Sequence, residues 1–321
     1  MARETYIRCY GALFSKFIGL AAISSVLLLS ACGEDEDAGT DPLLDNFTLD
    51  VPVAYIKRPV ASLHNPRDAV GALPDNDPMD GDDPGGDLWL RDFASASSDE
   101  VNLTAAYTAI TATKGAGDVS DLDVSYDGEK VVFAMHEGDP IDPMVVATWN
   151  IWIYDHTDGS ITRAIPSPEY DNEANLGNDI DPIFLPDGRI VFASDRKPRS
   201  YEILLEQDGQ APPTLLTNEG DRDVATYNLH VMVPGDNPNS IKQITFNRSN
   251  DLNPTLLRDG RIAYLRWDNA NGRNHLNLSH VRPDGTEFDL LYGAHSYTTT
   301  ERVLYESRQA PNGRLLSVKM P

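Results

Sequence analysis

Acidic side chains recur in this sequence at positions where they could bind a cation or a basic partner. Carboxylate oxygens are the ligands that Ca²⁺ prefers, and an arginine beside a tryptophan is common in recognition surfaces. The alternative is that the aspartates cap turns and accept backbone hydrogen bonds, while the arginine pairs with an aspartate of its own loop or with a neighbouring sheet. The candidate ligand-binding residues in this part of the chain are Asp121, Asp181, Asp251, Arg266, Trp267 and Asp268.

Histidines add one further candidate for a polar site. His295 follows Tyr292 and Gly293 in a linker between strand-like segments, whereas His230 lies inside a strand-like run and is predicted to be a core or inter-blade residue. The spacings His-x-x-x-His and His-Glu-x-x-His, typical of zinc hydrolases, do not occur. Neither a Gly-x-Ser-x-Gly elbow nor a phosphate-binding Walker loop is found. The sequence therefore predicts no catalytic residue.

The candidate aspartates are positioned by an internal repeat. Three segments, 121–133, 179–192 and 251–264, align with one another, and a weaker copy covers 305–318. Each copy is a strand-like run, an Asp-Gly or Asn-Gly turn and a second strand-like run. Such turns favour positive φ angles that match the twist of a hairpin. Loops that enter the first strands and leave the second strands should share one face, where the aspartates would form an acidic funnel.

Further strand-like runs follow each hairpin, and four antiparallel strands per repeat are typical of a β-propeller. Segments 51–59, 87–91 and 100–104 are interpreted as a degenerate first blade, and the best helical candidate is the segment 101–113. The predicted fold is all-β, a propeller of about four blades and part of a fifth, over residues 51–321. Because an open propeller leaves sheet edges unpaired, we expect either a fragment of a larger ring or completion by a partner.

The N-terminal segment predicts export and lipid attachment. A basic stretch and an apolar run of thirteen residues end at Leu29-Ser30-Ala31-Cys32, which resembles a bacterial lipobox. This apolar run is too short to span a bilayer but fits a secretory leader. We interpret residues 1–31 as a lipoprotein signal peptide, Cys32 as the lipidation site and 32–50 as an acidic flexible tether. The alternative is an ordinary leader that is cleaved elsewhere.

The net charge restricts which partners the protein can bind, and the cysteine content restricts how its fold can be stabilised. The formal net charge is −24, and such an acidic body repels nucleic acid and anionic headgroups. We therefore expect no nucleic-acid partner, and a membrane contact made through the lipid anchor. Both cysteines, Cys9 and Cys32, are used in the leader and in lipidation, so the core has to stabilise the fold without a disulfide. Gly33 after Cys32 resembles the enterobacterial signal for sorting to the outer membrane, at its periplasmic or surface face.

Longer segments carry a family resemblance. The hairpin Asp-Gly-Arg-Ile-Val-Phe (187–192) and its related copies, Asn-Ile-Trp-Ile-Tyr-Asp (150–155) and Pro-Asp-Gly-Thr (283–286) resemble TolB-like propeller repeats. DVPVAYIKRPV (50–60), DVSDLDVSYDGEKVVFAM (118–135), LHVM (229–232), QITFNRSNDLNPTLLRDGRIAYLRWDNA (243–270) and LLYGAHS (290–296) resemble the middle propeller domain of the hydrazine synthase alpha subunit. The resemblance implies a propeller. Family enzymes work through c-type haems bound by Cys-x-x-Cys-His outside the propeller, and this sequence has no such motif.

These observations favour a non-catalytic function, in which a lipid-anchored, exported propeller binds a protein or a small ligand. The chain is expected to hold no cofactor of its own, apart from a possible Ca²⁺ on the acidic face. The alternative is a propeller component of a hydrazine-synthase-like redox system that docks a cytochrome or haem-bearing segments outside this chain. A propeller hydrolase, lyase or sugar-processing enzyme is the third interpretation.

Overall fold

The computed structural model describes a chain made almost entirely of β-strands. The described residues are 5–8, 51–59, 85–95, 98–138, 147–166, 177–196, 227–236, 240–247, 250–270, 273–293 and 303–320. Within them the helical segment is α1 (Ala105–Thr108), which lies inside the segment predicted to be the best helical candidate. The remaining described elements are strands and the turns between them.

The strands form antiparallel sheets that follow one another in chain order, and we name these sheets blades 1 to 5. Blade 1 contains β1 (Thr5–Arg8), β2 (Val53–Pro59), β3 (Asp87–Arg91) and β4 (Glu100–Asn102). Blade 2 contains β5 (Asp118–Val124), β6 (Lys130–His136), β7 (Asn150–Asp155) and β8 (Ile161–Arg163). Blade 3 contains β9 (Asp179–Phe184), β10 (Ile190–Ser194), β11 (Asn228–Met232) and β12 (Lys242–Gln243). Blade 4 contains β13 (Asp251–Leu256), β14 (Ile262–Ala270), β15 (Arg273–Val281) and β16 (Asp289–Tyr292), and blade 5 contains β17 (Val303–Gln309) and β18 (Leu315–Met320).

The first strands of blades 2 to 5 lie next to one another in chain order. β9 packs against β5 on one side and β13 on the other, and β13 packs against β17. These four inner strands are therefore arranged side by side around a common axis, while the later strands of each blade lie progressively outward. This arrangement is that of a β-propeller, and it confirms the fold class predicted from the repeat.

The central strands are buried along their whole length because both of their faces are covered. Every residue of β9, β10 and β11 is buried. Sheets covered on both faces show continuous apolar runs rather than an alternation of apolar and polar residues. Blade 3 lies between blades 2 and 4, which explains why the sequence of β10, IVFAS, lacks the alternation of a half-exposed strand.

Two apolar clusters hold neighbouring blades together. One joins blades 1 and 2 through Ile56, Leu88 and Phe133 among others. The larger one joins blades 2, 3 and 4, and Ile151 and Tyr264 are fully buried members of it. Burial of apolar area at about 25 cal/mol per Å² is the main stabilising contribution, so packing between neighbouring blades contributes to the stability of the described fold.

The hairpin turns of blades 2 to 5 share one geometry. Gly128, Gly188, Gly260 and Gly313 have φ between 78° and 85°, whereas the Asp or Asn before each glycine is not among the residues with positive φ. In blade 3 the Gly188 amide donates to the Leu185 carbonyl at 2.9 Å. This is a type I turn followed by a left-handed glycine. The predicted positive φ is confirmed, and it falls on the glycine alone.

An aspartate side chain stabilises each of these Asp-Gly turns. Asp187 Oδ1 accepts the backbone N–H of Arg189 at 3.1 Å, and Asp259 does the same for Arg261. Each residue of the Asp-Gly pair therefore has its own role. The aspartate supplies a side-chain oxygen that accepts a backbone N–H, and the glycine adopts the positive φ. This use of both residues explains why the pair recurs in the sequence.

Several predictions from the sequence fall on residues outside the described ranges. These are the lipobox with Cys32, the tether and His295, while the side chain of Asp268 is also outside the description. Thr5–Arg8, within the predicted leader, forms β1 and pairs with β2. Over the residues that the structure describes, no helix has the length and apolar character needed to span a bilayer.

Candidate functional site: the axial cleft

One non-glycine residue in each inner strand of blades 2 to 5 has a left-handed backbone. The φ angles are 48° at Asp121, 53° at Asp181, 50° at Asn253 and 51° at Glu306. At each of these residues the pairing with the second strand shifts register. Each therefore lies in a β-bulge, where the extra residue bends the strand and changes the direction of a side chain.

The four bulges bring their side chains to one cleft beside the axis. The cleft has a volume of about 270 Å³, part of it open to solvent. Its walls combine acidic and amide groups with proline and aliphatic side chains. The lining residues are Asp121, Leu122, Asp181, Pro182, Ile183, Asn253, Pro254, Glu306 and Arg308.

Asp181 and Asn253 form the buried centre of the cleft. Asp181 accepts the backbone N–H of Asn253 at 2.7 Å and the side-chain Nδ2 of Asn253 at 3.2 Å. Only 8% of Asp181 and 7% of Asn253 is exposed. Among the described residues, Asn253 Oδ1 has no hydrogen-bond donor although it is buried. An unmatched buried acceptor costs free energy, so this oxygen is a local cost of the bulge in blade 4.

The environment of Asp181 favours its protonated form. Burial raises the pKa of Asp181 well above its usual value, and the negative charges of Asp121 and Glu306 raise it further. The backbone N–H of Asn253 acts in the opposite direction by stabilising the carboxylate. Two carboxyl groups that share a site cannot both ionise easily, so the negative charge of Asp121 favours a protonated Asp181.

Arg308 is the basic residue in the cleft wall. Its Nη2 lies 3.7 Å from Glu306 Oε2, and its Nη1 donates to the carbonyl of the adjacent Ser307 at 3.0 Å. Nearly half of the Arg308 side chain is exposed, 46%. Solvent screens such a pair strongly, so Arg308 offsets only part of the negative charge in the cleft.

A second set of aspartates lies at the start of the inner strands, and each pairs with an arginine. Asp118 lies 2.6 Å from Arg58 of blade 1, and Asp179 lies 2.7 Å from Arg196 of its own blade. These side chains are largely buried. Buried carboxylates need a paired cation and hydrogen bonds to offset desolvation. These first-position aspartates are therefore part of the framework that joins the strands.

Asp251 belongs to this second set and not to the cleft. Its Oδ2 lies 3.5 Å from Arg266 Nη1, and its Oδ1 accepts Nδ2 of Asn247 at 3.0 Å. Asp251 is completely buried and is not among the residues that line the cleft. Of the three aspartates that the repeat selected, the structure therefore brings Asp121 and Asp181 together and places Asp251 with Arg266.

The neighbours of Asp251 are also held inside blade 4. The Arg266 guanidinium lies over the ring of Phe288, 5.0 Å from its centre. Trp267 is buried, and its backbone N–H donates to the Asn250 carbonyl at 2.8 Å. A buried tryptophan held in this way contributes to packing in blade 4. Asp268 lies in β14, one residue further on.

Sequence reasoning missed Asn253 and Glu306 as members of the site. Both occupy the same repeat position as Asp121 and Asp181, six residues before the Asp or Asn of the hairpin turn. Counting back from each turn could have found them, because the bulge repeats with the hairpin. Neither residue is an aspartate, so a selection by residue type leaves both out.

His230 is a core residue, as predicted from its position inside a strand. Burial lowers its pKa to about 3, and the nearby Arg196 charge acts in the same direction. Its Nδ1 lies 2.9 Å from the Asn228 carbonyl, and its ring stacks on Phe192. The imidazole is therefore neutral near pH 7, with Nδ1–H as the donor. In the described part of the chain, no three His, Cys, Asp or Glu side chains are grouped closely enough to hold a metal ion.

Comparisons with known proteins give structural similarity at low sequence identity. No family model and no curated protein matches the chain. Hydrazine synthase of Kuenenia stuttgartiensis matches with a TM-score of 0.49 and 16% identity, over 74% of this chain and 32% of that one. A prolyl endopeptidase matches with a TM-score of 0.42 and 15% identity, over 84% of this chain and 33% of that one. The propeller domain of the trilobed protease from Pyrococcus furiosus matches with a TM-score of 0.36 and 11% identity, over 84% of this chain and 74% of that one.

Two of these matches cover only a part of the matched protein. This chain spans about a third of the length of the hydrazine synthase and prolyl endopeptidase chains. The fold assignment therefore depends on the order of strands within each blade and on the packing of successive inner strands.

Proposed function

We propose that this protein is an exported, lipid-anchored propeller of the TolB-like type that acts as a non-catalytic binding module for a protein or a small ligand. The axial cleft is the binding site in this proposal. The observation that carries it is the repetition of one strained bulge in four successive inner strands, each with a polar side chain at the cleft.

The bulges support a binding role because they are costly to form. A left-handed backbone at a non-glycine residue costs of the order of 1–3 kcal/mol, and such residues cluster at binding and catalytic sites; the cost is smallest for Asp and Asn and largest here for Glu306. A purely structural bulge would be served by glycine, which adopts positive φ without this cost. Here the position is filled by Asp, Asp, Asn and Glu, so the side chains are retained despite the strain.

The location in the cell follows from the N-terminal segment and the charge. A leader that ends just before Cys32 supports attachment of the body to a membrane, and Gly33 supports the outer membrane. A net charge of −24 disfavours nucleic acid as a partner and favours a basic ligand. The tether of residues 32–50 would allow the cleft to face away from the bilayer.

Docking of a cytochrome or haem-bearing segment is the second candidate function. It is favoured by the resemblance of segment 243–270 to the hydrazine synthase middle domain. A basic surface around a haem edge would complement the acidic body of this chain. In this case too the chain would bind and orient a partner, and the redox chemistry would belong to that partner.

Site-specific cross-linking in cells tests the binding proposal. A photoreactive amino acid at Arg308, exposed at the cleft, should capture a partner, whereas the same group at Asp158 in the exposed β7–β8 turn should not. Intact-mass analysis of the membrane fraction would detect small-ligand and protein adducts alike, and a haem absorption band in the adduct would select the second candidate. Adducts at both positions, or at neither, would contradict the proposal that the axial cleft is the binding site.

A further inference from the structure

Blade 5 is smaller than the other blades and is covered on one face. Blades 1 to 4 have four strands each, whereas blade 5, in the described part of the chain, is the hairpin of β17 and β18. Its covered face lies on blade 4, where β17 packs against β13 and β14 and Ser307 is buried. A two-stranded sheet is only marginally stable in water by itself. The hairpin therefore depends on the surfaces that cover it.

The opposite face of blade 5 carries two exposed aliphatic side chains. Leu316 and Val318 are the second and fourth residues of β18, with exposed fractions of 63% and 57%. Ser317 lies between them and points the other way, since its hydroxyl contacts that of the buried Ser307 at 2.7 Å. Exposed aliphatic residues on a terminal strand are a site for association with another sheet.

The same positions are completely covered in blades 3 and 4. The second and fourth residues are Val191 and Ala193 in β10, and Ala263 and Leu265 in β14. Their exposed fractions lie between 0% and 3%. In both blades the first strand of the following blade covers the second strand, since β13 packs against β10 and β17 packs against β14. The face of blade 5 therefore continues a series of contacts between blades, and the surface that fits it is a further β-sheet.

Blade 1 does not offer a matching apolar face. Its apolar cluster faces blade 2, and alternate residues of its strands form a charged network on the other side. Glu100 accepts hydrogen bonds from Lys57 and Arg91, and Lys57 Nζ lies 4.1 Å from the centre of the Trp89 ring. Aliphatic side chains placed on this network would remove water from charged groups. A head-to-tail contact between blade 5 of one copy and blade 1 of another is therefore disfavoured.

The local charge of blade 5 favours the approach of a second copy. Residues 303–320 contain three basic side chains and one acidic side chain, which gives a net charge of +2 in a chain whose net charge is −24. Two acidic bodies repel each other. The basic hairpin of each copy is attracted to the acidic body of the other, and this attraction offsets part of the repulsion.

We infer that the face of blade 5 with Leu316 and Val318 binds the same face of a second copy of this chain. The contact is isologous, with the two sheets about 10 Å apart as in other packed sheets. Since a hairpin offers a small area, the expected dissociation constant is micromolar. Neither residue lines the axial cleft, so the dimer does not depend on the proposed function. It would carry two clefts, and a partner that fills both would bind with avidity.

Sedimentation equilibrium of the full chain, in a non-ionic detergent matched in density to the solvent, tests this contact. The wild type should show an equilibrium between monomer and dimer. Leu316→Lys should raise the dissociation constant at least roughly tenfold, because it places a charge in an apolar contact. Val101→Lys is the matched control, since Val101 lies in β4 of blade 1 with an exposed fraction of 59%. The control should dimerise like the wild type, and both variants should melt with it in dilute solution.

A mixture of two variants distinguishes a symmetric contact from any other contact. Leu316→Glu and Leu316→Lys should each dimerise poorly, because like charges would meet across the two-fold axis. Mixed in equal amounts, the two variants should recover the dimer, since the charges are then opposite. Such recovery requires that position 316 of one copy lies near position 316 of the other.

Three results would overturn the inference. A wild type that stays monomeric at every concentration would show that a second copy does not cover this face. A dimer that Leu316→Lys leaves unchanged would place the contact elsewhere. Absence of recovery in the mixture, or growth into species larger than a dimer, would reject the isologous contact and would indicate a head-to-tail contact or a sheet from another protein as the occupant.

Discussion

Asp181 of blade 3 holds Asn253 of blade 4 through two hydrogen bonds, one to its backbone N–H at 2.7 Å and one to its side-chain Nδ2 at 3.2 Å. Both residues lie in bulges with left-handed backbones. The contact therefore ties together two strained positions that are far apart in the sequence. It also leaves Asn253 Oδ1 without a donor among the described residues, which makes this pair the centre of the cleft.

Asp181→Asn should stabilise the protein at neutral pH. The pKa of folded Asp181 is raised, so the folded state keeps a proton that the unfolded state releases above the ordinary pKa of 3.8. Stability is therefore lost as the pH rises from about 3.8 towards the folded pKa, and an amide removes this loss. The Asn253 amide can turn over to match the new side chain.

Urea unfolding at pH 4 and pH 7 measures this effect. The variant and the wild type should differ little at pH 4 and most at pH 7. Asp99→Asn, at an exposed position, is the control and should show no such divergence. A variant that is less stable than the wild type at pH 7 would show that Asp181 is ionised and stabilising.

Arg196→Met should destabilise the fold by about 3 kcal/mol, because it leaves Asp179 buried without its cation. The exposed fractions of the two side chains are 11% and 2%. Arg189→Met is the matched control, since Arg189 and Asp187 form a surface pair with exposed fractions of 37% and 54%. The control should change the free energy of unfolding by at most about 0.5 kcal/mol. Equal losses of the free energy of unfolding in the two variants would show that the buried pair of Asp179 and Arg196 stabilises the fold no more than the surface pair does.

Gly188→Val should cost about 1 kcal/mol or more, because a β-branched residue resists the φ of 85° found there. A Cβ at this position would meet no atom within 4 Å, so the cost is conformational and not steric. Gly188→Asn should cost less, since asparagine tolerates the left-handed region. Gly260→Val should behave like Gly188→Val. Thermal melts in which the Val and Asn variants coincide would contradict this assignment of the turn.

Cys32→Ser should prevent lipid attachment and leave the precursor uncleaved or cleaved elsewhere. Two or more acyl chains hold a protein firmly on a membrane, so the wild type should stay with membranes in high salt. Any membrane association of the variant should not involve an attached lipid. Cys9→Ser, inside the predicted leader, is the control and should leave lipidation intact. Metabolic labelling with a fatty acid, followed by fractionation, distinguishes the two variants. A wild type that is free in the periplasm would reject the anchor.

Much of the fold could be predicted from local patterns. The hairpins of β9–β10 and β13–β14 were placed by their Asp-Gly turns and their β-branched and aromatic runs, and the weaker copy at 305–318 became β17–β18. These features depend on a few adjacent residues, since a turn requires φ > 0 at one glycine and a strand requires a short apolar run. The outward strands were located in the same way, with differences of a few residues at their ends.

The composition of the site could be predicted only in part. The sequence selected Asp121, Asp181 and Asp251 by residue type, and the structure separates the third from the other two. A bulge shifts register by one residue and so decides whether a side chain faces the cleft or the framework. Asn253 enters the cleft and Asp251, two residues earlier, pairs with Arg266.

The sequence by itself determined the repeating hairpin, the number of strands in each repeat, the acidic character of the body and the lipobox pattern, because each is set by residues close together in the chain. Only the tertiary structure decided which carboxylates meet, which are neutralised by arginines and which amide oxygen lacks a donor. Those outcomes depend on contacts between blades, such as that of Asp181 with Asn253. Burial then determines the protonation of Asp181, because desolvation and neighbouring charges act on it only when the blades are assembled.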